Sequence, residues 1–481
     1  MNRKHQLSLS RRQFLLASAA VVAGTAGPWP LRSLANTTAA GVRDYHLKLH
    51  ATTAPLLGAA RKPTDVWAYN AQVPGPLLRA RQGERLRVVV ENRLPEDTTV
   101  HWHGIRVPND QDGVPHLTQE PIAVGGHYVY EFECPDAGTF WYHPHQRSHE
   151  QVDRGLYGPL IIEEPAPIRV DRDLTWVLDD WRLDDDGQLS ETFGHRHDIS
   201  HAGRIGNTIT VNGGPMPVFA LRSGERIRLR LINAANARIF SLNFAGHAPS
   251  IIAYDGQPVT PHQPTDGQVL IGPAMRIDLI LDATGKPGER YQVIDSFYRR
   301  GQYELLELVY AAKPLRDELL TTSIRLPANP LAEPDLQTAE WHEIRFQGGM
   351  MGNLREATLA GKPVNMMQMM RAGKAWAING IVATGHVHEP ILTLERNRSY
   401  RLRLINDTAW HHPMHLHGHS FRVLSRSGQP TMHREWQDTV LMSPQEEVEI
   451  AFAADNPGDW MFHCHILEHQ LGGMMAVIRV A

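Results

Sequence analysis

One short β-like segment occurs three times along the chain, and this repeat limits the folds that are open to it. Residues 83–92 read GERLRVVVEN, residues 224–233 read GERIRLRLIN, and residues 401–406 read RLRLIN. Basic and apolar residues alternate within the copies. This alternation predicts a strand with one buried face, because successive side chains of a strand point to opposite sides. Self-similarity at this spacing predicts three copies of one β domain.

Turn-forming residues punctuate the rest of the chain, which contains 39 Gly and 33 Pro. Short runs of Val, Ile, Leu and aromatic residues separate the turns, and no long segment keeps the 3.6-residue period of a helix. We therefore predict an all-β fold with domains at residues 41–165, 166–312 and 340–481. Residues 313–339 are predicted to be a Pro-rich linker between the last two domains.

The composition excludes several classes of protein. The 481 residues carry a formal net charge of -4, with 42% hydrophobic and 21% charged residues, which is typical of a globular protein. A nucleic-acid-binding protein would normally be strongly basic, so we expect no nucleic-acid partner. Two cysteines are too few for a disulfide framework.

The N-terminal residues 1–35 have the pattern of a bacterial twin-arginine signal peptide. Arg11 and Arg12 lie in the sequence SRRQFL, and an apolar run at residues 14–26 follows. That run is shorter than the roughly 20 residues that a membrane-spanning helix needs. We expect export by the twin-arginine machinery, a periplasmic location, no stable membrane insertion of the mature protein, and a monomer. The alternative is a disordered basic tail.

Histidine is unusually frequent, with 27 copies in the chain. Two His-x-His pairs lie at the same distance after the repeat in the first and third domains, where the middle domain has Leu242 and Phe244. A second such pair lies near the end of each of the two domains. The four pairs are His101/His103, His143/His145, His415/His417 and His463/His465. Because burying eight imidazoles without partners is costly, we predict a metal cluster between these domains, with Cu, Zn, Fe or Ni as candidates.

Cys464 narrows the choice of metal. It lies between two histidines of the last pair, so its side chain points to the opposite face of the same strand. The further candidate ligands for a site on that face are His412, His469 and Met474. Two imidazoles, a thiolate and a weak thioether form a blue-copper electron-transfer site. An electron that reaches Cys464 can then pass along the backbone to the cluster, which would reduce dioxygen to water.

At these motifs the chain resembles the three-domain multicopper oxidases, in particular bacterial laccase-like proteins and periplasmic cuprous oxidases. Residues 101–104 (HWHG), 141–145 (WYHPH), 412–418 (HPMHLHG) and 463–474 (HCHILEHQLGGM) match the four copper motifs of that family in order. The resemblance implies three cupredoxin-like Greek-key β-sandwich domains, four copper ions as cofactors, and dioxygen as the electron acceptor.

The resemblance also implies a position for each copper ligand. The type 1 copper would bind His412, Cys464, His469 and Met474; the type 2 copper would bind His101 and His415; one type 3 copper would bind His103, His143 and His465; the other would bind His145, His417 and His463.

Asp112 lies where the family has a carboxylate that assists proton delivery to oxygen. The resemblance therefore implies a catalytic role for Asp112 beside that of Cys464; the alternative is a turn residue before Gly113. Bacterial relatives often have a second carboxylate directly after the last type 1 histidine. This chain has Gln470 there, which puts that proton path in doubt, and the direction of the nearby Glu468 is open.

The identity of the reductant is open at this point. Residues 350–370 contain Met350, Met351, Met366, Met367, Met369 and Met370, six of the 15 methionines. Thioethers select Cu(I), and cuprous oxidases of the family carry a Met-rich insertion, so this segment is either a Cu(I) dock or a helix that fills gaps in the core. Phenols and aromatic amines are the other candidate reductants.

Other functions compete with an oxygen-reducing oxidase. A copper-binding or copper-tolerance protein with little turnover would be expected to lose ligands, and a structural factor would not explain the ligand pattern. A copper nitrite reductase would usually have its cysteine in the first domain, where this chain has Pro144. His195, His197 and His201 form a small cluster in a middle-domain loop, which we expect to be solvated; the alternative is a surface metal site. Asp438 is expected in a strand or turn.

Overall fold

Six β-sheets make up the described part of the chain, two in each of three consecutive segments. The structure is a computed structural model, which describes the backbone of residues 36–38 together with residues 41–385 and 389–481. The predicted signal peptide, residues 1–35, lies outside the described residues. None of the described helices has the length and apolar character that crossing a membrane would require.

The first segment is a sandwich of two sheets around one apolar core. Its strands are β1 (Asn36–Thr38), β2 (Val42–Ala54), β3 (Thr64–Tyr69), β4 (Leu78–Arg81), β5 (Arg85–Asn92), β6 (His101–His103), β7 (His127–Glu133), β8 (Gly138–His143) and β9 (Gly158–Glu163), and its helix is α1 (Ser148–Gln151). One sheet has the order β1-β2-β5-β7, with β3 beside β2, and the other has the order β4-β9-β8-β6. Val88 of the first sheet and Leu160 of the second both belong to this core.

The middle segment is a second sandwich. Its strands are β10 (Arg172–Trp181), β11 (Thr208–Val211), β12 (Val218–Leu221), β13 (Arg226–Asn233), β14 (Phe240–Phe244), β15 (Ser250–Tyr254), β16 (Gln257–His262), β17 (Gln268–Ile271), β18 (Arg276–Asp282), β19 (Arg290–Asp295) and β20 (Tyr303–Tyr310), and its helix is α2 (Arg196–Ser200). The sheets have the orders β11-β10-β13-β18-β15-β16 and β12-β20-β19-β14-β17. Leu242 and Phe244 are buried in its core, as their apolar character predicts.

The last segment is the third sandwich. Its strands are β21 (Glu340–Gly348), β22 (Glu356–Leu359), β23 (Lys362–Asn365), β24 (Trp376–Ile378), β25 (Ile381–Val382), β26 (Leu392–Leu394), β27 (Ser399–Asp407), β28 (His412–Leu416), β29 (Phe421–Arg426), β30 (Gln429–Pro430), β31 (Trp436–Gln437), β32 (Thr439–Met442), β33 (Glu447–Ala453), β34 (Gly458–Cys464) and β35 (Met475–Val480), with helices α3 (Met366–Arg371) and α4 (Leu467–Leu471). One sheet contains ten strands, and the other has the order β26-β35-β34-β28-β32.

The sequence repeat occupies the same place in all three sandwiches. Strands β5, β13 and β27 contain the three copies. Each pairs in parallel with the first long strand of its segment, namely β2, β10 or β21, and antiparallel with β7, β18 or β33. The predicted all-β class is confirmed, and the exact domain boundaries stay predictions.

The middle copy of the repeat departs from the simple alternation of buried and exposed residues. Strand β5 alternates, whereas every residue of β13 is buried. Arg228 and Arg230 both contact Asp278 of β18, and Arg230 also donates to Thr139 of the first sandwich. Because the first sandwich covers this face, its basic residues are paired with acidic and hydroxyl groups instead of being solvated.

Candidate metal centre

Two neighbouring strands position the histidines of the first sandwich. In the antiparallel pair β6 and β8, His101 lies directly opposite His143, so their side chains share one face of the sheet. His103 is two residues further along β6 and therefore points to the same side. His145 follows the end of β8, and all four imidazoles are buried. The two His-x-His motifs of this sandwich thus bring four buried imidazoles close together.

The last sandwich repeats this arrangement with strands β28 and β34. His415 lies opposite His463 in the antiparallel register, and Met414 lies opposite Cys464 on the other face. His417 and His465 follow the two strands, and both are buried. The period of two along a strand therefore separates the imidazoles from the thiol, as the sequence predicts.

The eight imidazoles of the two sandwiches meet in one buried cluster. The Nε2 atoms of His143 and His465 are 3.4 Å apart, and those of His417 and His463 are 3.1 Å apart. Within the cluster, ligand atoms lie within 4.8 Å of one another in three groups: His103/His143/His465, His145/His417/His463 and His101/His103/His415. Each group combines residues from the first and last sandwiches.

Metal ions fit this cluster because the chain leaves several of its ring nitrogens without a partner. Buried nitrogens with no hydrogen bond are Nε2 of His101, Nδ1 of His103, Nδ1 of His145, Nε2 of His415 and Nδ1 of His465. Such groups are costly unless something binds them. Burial and the neighbouring imidazoles hold the pKa of His103 and His465 well below its usual range. The rings of His103 and His465 are therefore neutral and offer lone pairs, as metal ligands must.

Cys464 is the centre of a second ligand group on the other face of β34. Its Sγ lies 3.4 Å from Nδ1 of His412 and 3.6 Å from Nδ1 of His469, and the two ring nitrogens are 3.1 Å apart. Met474 is buried in the same core, and its backbone carbonyl accepts from the Cys464 amide at 3.1 Å. Burial raises the pKa of the Cys464 thiol, so a cation is needed for it to ionise here.

Asp112 connects the first sandwich to the cluster histidines. The residue follows a 3-10 turn at Asn109–Gln111 and is fully buried. Its Oδ2 accepts from His417 Nδ1 at 2.9 Å, and its backbone carbonyl accepts from His101 Nδ1 at 2.8 Å. Gly113 makes this close approach possible, since an added Cβ would lie 1.9 Å from the Val100 carbonyl oxygen. Asp112 therefore fixes the orientation of two cluster imidazoles through hydrogen bonds to their Nδ1 atoms.

Asp438 does the same from the last sandwich, a role that our reading of the sequence missed. Its carboxylate lies 3.2 Å from His103 Nε2, and its backbone carbonyl accepts from His415 Nδ1 at 2.9 Å. Arg276 of the middle sandwich bonds to the same carboxylate. Burial alone would raise the pKa of Asp438, but this guanidinium lowers it overall. No local motif marks Asp438, because its partners lie far away in the sequence.

Helix α4 contains Gln470 and Glu468, the two residues that bear on a second path for protons. Gln470 is buried and its side-chain oxygen accepts from Ser148 Oγ at 3.1 Å. Glu468 is fully buried and points to the middle sandwich, where Oε2 accepts from the Arg204 amide at 3.0 Å. Burial raises the pKa of Glu468 to about 7. The Glu468 carboxylate and the Gln470 amide thus have different partners, Arg204 and Asn236 for the first and Ser148 for the second.

The Met-rich segment divides between the core and the surface. On helix α3, Met369 is fully buried, whereas Met367 is exposed. Before the helix, Met350 and Met351 are also exposed. The gap-filling interpretation therefore applies to Met369, and three thioethers of this segment are open to solvent.

Helix α2 and its flanks contain the three middle-domain histidines that we expected in a solvated loop. His195 and His197 are exposed, as expected. His201 differs, because its backbone carbonyl accepts from Nε2 of His469, a candidate ligand beside Cys464, at 2.6 Å. The sequence offered no sign of this contact, which joins residues of two sandwiches.

Comparisons with known proteins agree with this geometry. Multicopper oxidase family models match residues 51–167, 172–318 and 359–481. The chain is 31% identical to the multicopper oxidase MmcO of Mycobacterium tuberculosis, over 84% of this chain and 81% of that protein. It is 26% identical to a copper resistance protein A homolog of Pseudomonas syringae pv. tomato, over 98% and 99% of the two chains.

A solved structure of a multi-copper oxidase from Pseudomonas thermotolerans has the same fold. Its TM-score with this chain is 0.80 at 34% identity, and the match covers 92% of this chain and 99% of that one. The predicted cupredoxin-like sandwiches are thereby confirmed. Matches of this extent show that the chain belongs to the multicopper oxidase family, whose members are copper-containing oxidoreductases that use oxygen.

Proposed function

We propose that the chain is a four-copper oxidase that couples the one-electron oxidation of a small reductant to the four-electron reduction of dioxygen to water. The observation that carries this proposal is the succession of His463, Cys464 and His465, because these three neighbours belong to three different ligand groups, two in the imidazole cluster and one around Cys464. Phenols, aromatic amines and low-valent metal ions such as Cu(I) are the candidate reductants.

The chemistry of the donor sets supports a distinct role for each ligand group. A thiolate with two imidazoles and a thioether suits a type 1 copper, and all-imidazole sets suit a type 2 copper and a type 3 pair. The proposed ligands are His412, Cys464, His469 and Met474 for type 1; His101 and His415 for type 2; and His103, His143, His465 and His145, His417, His463 for the pair. When bound, these ions would take up electrons one at a time and supply four of them to dioxygen.

The chain itself contributes a short covalent path between the two ligand groups. Cys464 is bonded through the backbone to both His463 and His465, and His463 Nδ1 donates to the Cys464 carbonyl at 2.9 Å. This contact fixes the ring orientation and leaves Nε2 directed into the cluster. Full burial of all three side chains excludes bulk water from the path. Partly reduced oxygen would therefore be held away from solvent.

Asp112 is the proposed proton donor to oxygen. Its carboxylate is buried, contacts His417 Nδ1 and lies 3.2 Å from His101 Nδ1. A carboxylate in this position can hold a proton close to the cluster and at the same time fix two imidazoles. Because the chain has Gln470 in place of a second carboxylate, Asp112 would deliver protons without a second carboxylate beside the last type 1 histidine.

Cu(I) is the reductant that the exposed thioethers favour. Met350, Met351 and Met367 present soft ligands to solvent, and thioethers select Cu(I) over harder ions. The likeness to a protein named for copper resistance supports the same substrate. Oxidation of Cu(I) would then serve copper tolerance, with phenols as accessory reductants.

Replacing these three methionines by leucine tests the substrate. Leucine keeps the volume of methionine and removes the thioether, so the fold should be kept. We expect kcat/KM for Cu(I) to fall about tenfold, the effect of lost supporting ligands, with kcat/KM for a phenol unchanged. Met432→Leu is the matched control, because Met432 is 90% exposed and lies outside the Met-rich segment. Equal losses for both reductants would indicate a structural role instead.

Oxygen uptake by the copper-loaded protein tests the oxidase itself. Cys464→Ser should abolish uptake with every reductant and remove the intense blue absorption of the Cu–thiolate bond. Cys134→Ser is the control, because Cys134 is buried in the first core, outside both ligand groups. If the copper-loaded protein took up no oxygen with Cu(I), phenols or diamines, the second candidate, a copper-tolerance protein with little turnover, would replace the oxidase.

We also propose that the protein acts in the periplasm after twin-arginine export. Arg11 and Arg12 in the sequence SRRQFL support this location. The route carries folded proteins, which suits a chain whose cofactor is held in a buried cluster. Replacing both arginines by lysine should retain the protein in the cytoplasmic fraction, and an unchanged distribution would contradict this proposal.

A further inference from the structure

The C-terminal end of helix α2 covers the Cys464 site. Three consecutive backbone carbonyls at the end of this helix accept hydrogen bonds from the last sandwich. The bonds run from Trp376 Nε1 to Ile199 (2.5 Å), from the Met350 amide to Ser200 (2.8 Å), and from His469 Nε2 to His201 (2.6 Å). The last carbonyls of a helix have no partner within it, so these donors satisfy them and fix α2 in place.

This cover separates the proposed type 1 ligands from solvent. Cys464, His412 and His469 are all fully buried. The outer nitrogen of His469 is bonded to the His201 carbonyl, so a reductant in solution cannot contact the ligand ring directly. Residue His201 is the next group outward along this hydrogen bond. An electron from solution therefore has a path that runs through the backbone of His201.

His201 and His197 form an imidazole pair directly outside this path. Their ring centroids are 4.0 Å apart, and their planes differ by 10°. His201 Nδ1 donates to the His197 carbonyl at 3.0 Å, which fixes the proton on Nδ1 and leaves the lone pair on Nε2. The His197 side chain is 68% exposed. Both rings can thus offer a nitrogen to a metal ion from solution.

Trp410 and Met350 border the same surface. The Trp410 ring lies 5.3 Å from the His201 ring, and its Nε1 donates to the Met350 carbonyl at 2.8 Å. Met350 and Met351 are 43% and 73% exposed. Imidazoles beside thioethers suit a soft, low-valent copper ion better than a hard divalent ion.

We propose that His197 and His201 bind the substrate Cu(I) at the point where its electron enters the protein. This inference rests on the proposed oxidase function. Each bound Cu(I) loses one electron and leaves as Cu(II), and the electron crosses the hydrogen bond between the His201 carbonyl and His469 towards Cys464. Four such events, with four protons from solvent, convert one dioxygen to two waters.

Alanine variants of the pair test this binding site. His197→Ala and His201→Ala remove the rings and keep the backbone carbonyl that covers His469. We expect each to lower kcat/KM for Cu(I) by about tenfold or more, mainly through KM, with phenol oxidation changed less than twofold. His201→Met should recover most of the Cu(I) activity, because a thioether also binds Cu(I). His127→Ala, an exposed imidazole on β7, is the matched control.

Binding of Ag(I), a redox-inert substitute for Cu(I), gives a readout that is independent of turnover. Titration of the copper-loaded protein by calorimetry should show an Ag(I) site that His197→Ala and His201→Ala both lose and His127→Ala keeps. Unchanged Ag(I) binding and unchanged kcat/KM for Cu(I) in both variants would overturn the site, and so would equal losses for Cu(I) and phenol. A failure of the oxidase proposal gives a different result from a failure of the His197/His201 site. In that case the unmodified protein itself would consume no oxygen with any reductant.

Discussion

At the scale of single residues, the convergence of the candidate ligands could be predicted from the sequence, whereas the residues that hydrogen-bond to them could not. The imidazoles and Cys464 follow a period of two along strands, so the sequence alone assigns them to faces. The family resemblance implies a role for Asp112, and its contact with His417 gives that role a geometric reason. Asp438 was missed, because its contact with His103 joins residues 335 positions apart.

Replacing Asp112 by asparagine should slow oxygen reduction without slowing the first electron transfer. The amide keeps the shape of the side chain but cannot hold and release a proton, so we expect kcat to fall about 100-fold. Anaerobic bleaching of the blue colour by reductant, measured by stopped flow, should keep its rate. Asp110→Asn, in the exposed turn two residues earlier, should change neither quantity. A bleaching rate that fell together with kcat would mean that Asp112 is needed for the ligand geometry and not for the proton.

At the scale of elements, the alternation of the repeated strand predicts its burial correctly in two of the three copies. Its alternation predicted the buried face of β5 and β27 correctly. The same pattern in β13 predicted an exposed basic face, which is wrong, because the first sandwich covers it. The sequence of a strand shows which of its faces is polar. Whether that polar face is exposed to solvent depends on the packing of one domain on another, which the strand's own sequence does not show.

Arg228→Met tests the energetic role of this buried face. Arg228 donates to Asp278 at 2.7 Å and to Glu164 at 2.7 Å. Methionine fills much of the space but leaves Glu164 without its cation and Asp278 with Arg230 alone, which should cost about 3–5 kcal/mol of unfolding free energy. Chemical denaturation of the copper-free protein measures the loss. Arg290→Met, which removes an exposed ion pair with Glu307, should leave the midpoint unchanged. Equal midpoints for the two variants would show that the buried network contributes nothing.

At the scale of the whole molecule, the candidate metal centre depends on the assembly of separate sandwiches. The first and last sandwiches each supply four imidazoles to the cluster, and the middle one supplies none. The middle sandwich supports the site in another way. Its Arg276 donates to the Asp438 carboxylate, and its His201 carbonyl accepts from His469. From the sequence, the repeat predicted three domains and a ligand-free middle one. The supporting contacts of that middle domain arise from long-range packing, for which no local pattern exists.

The ratio of reductant oxidised to dioxygen consumed is the decisive measurement for the proposed four-electron reduction. In the proposed oxidase, one electron-accepting site at Cys464 serves a buried cluster of eight imidazoles that completes the reduction of oxygen to water. With the copper-loaded protein, an oxygen electrode and a one-electron reductant, we expect four equivalents to be oxidised per dioxygen and no hydrogen peroxide to form. Two equivalents per dioxygen with peroxide released, or no oxygen consumption at all, would contradict this proposal.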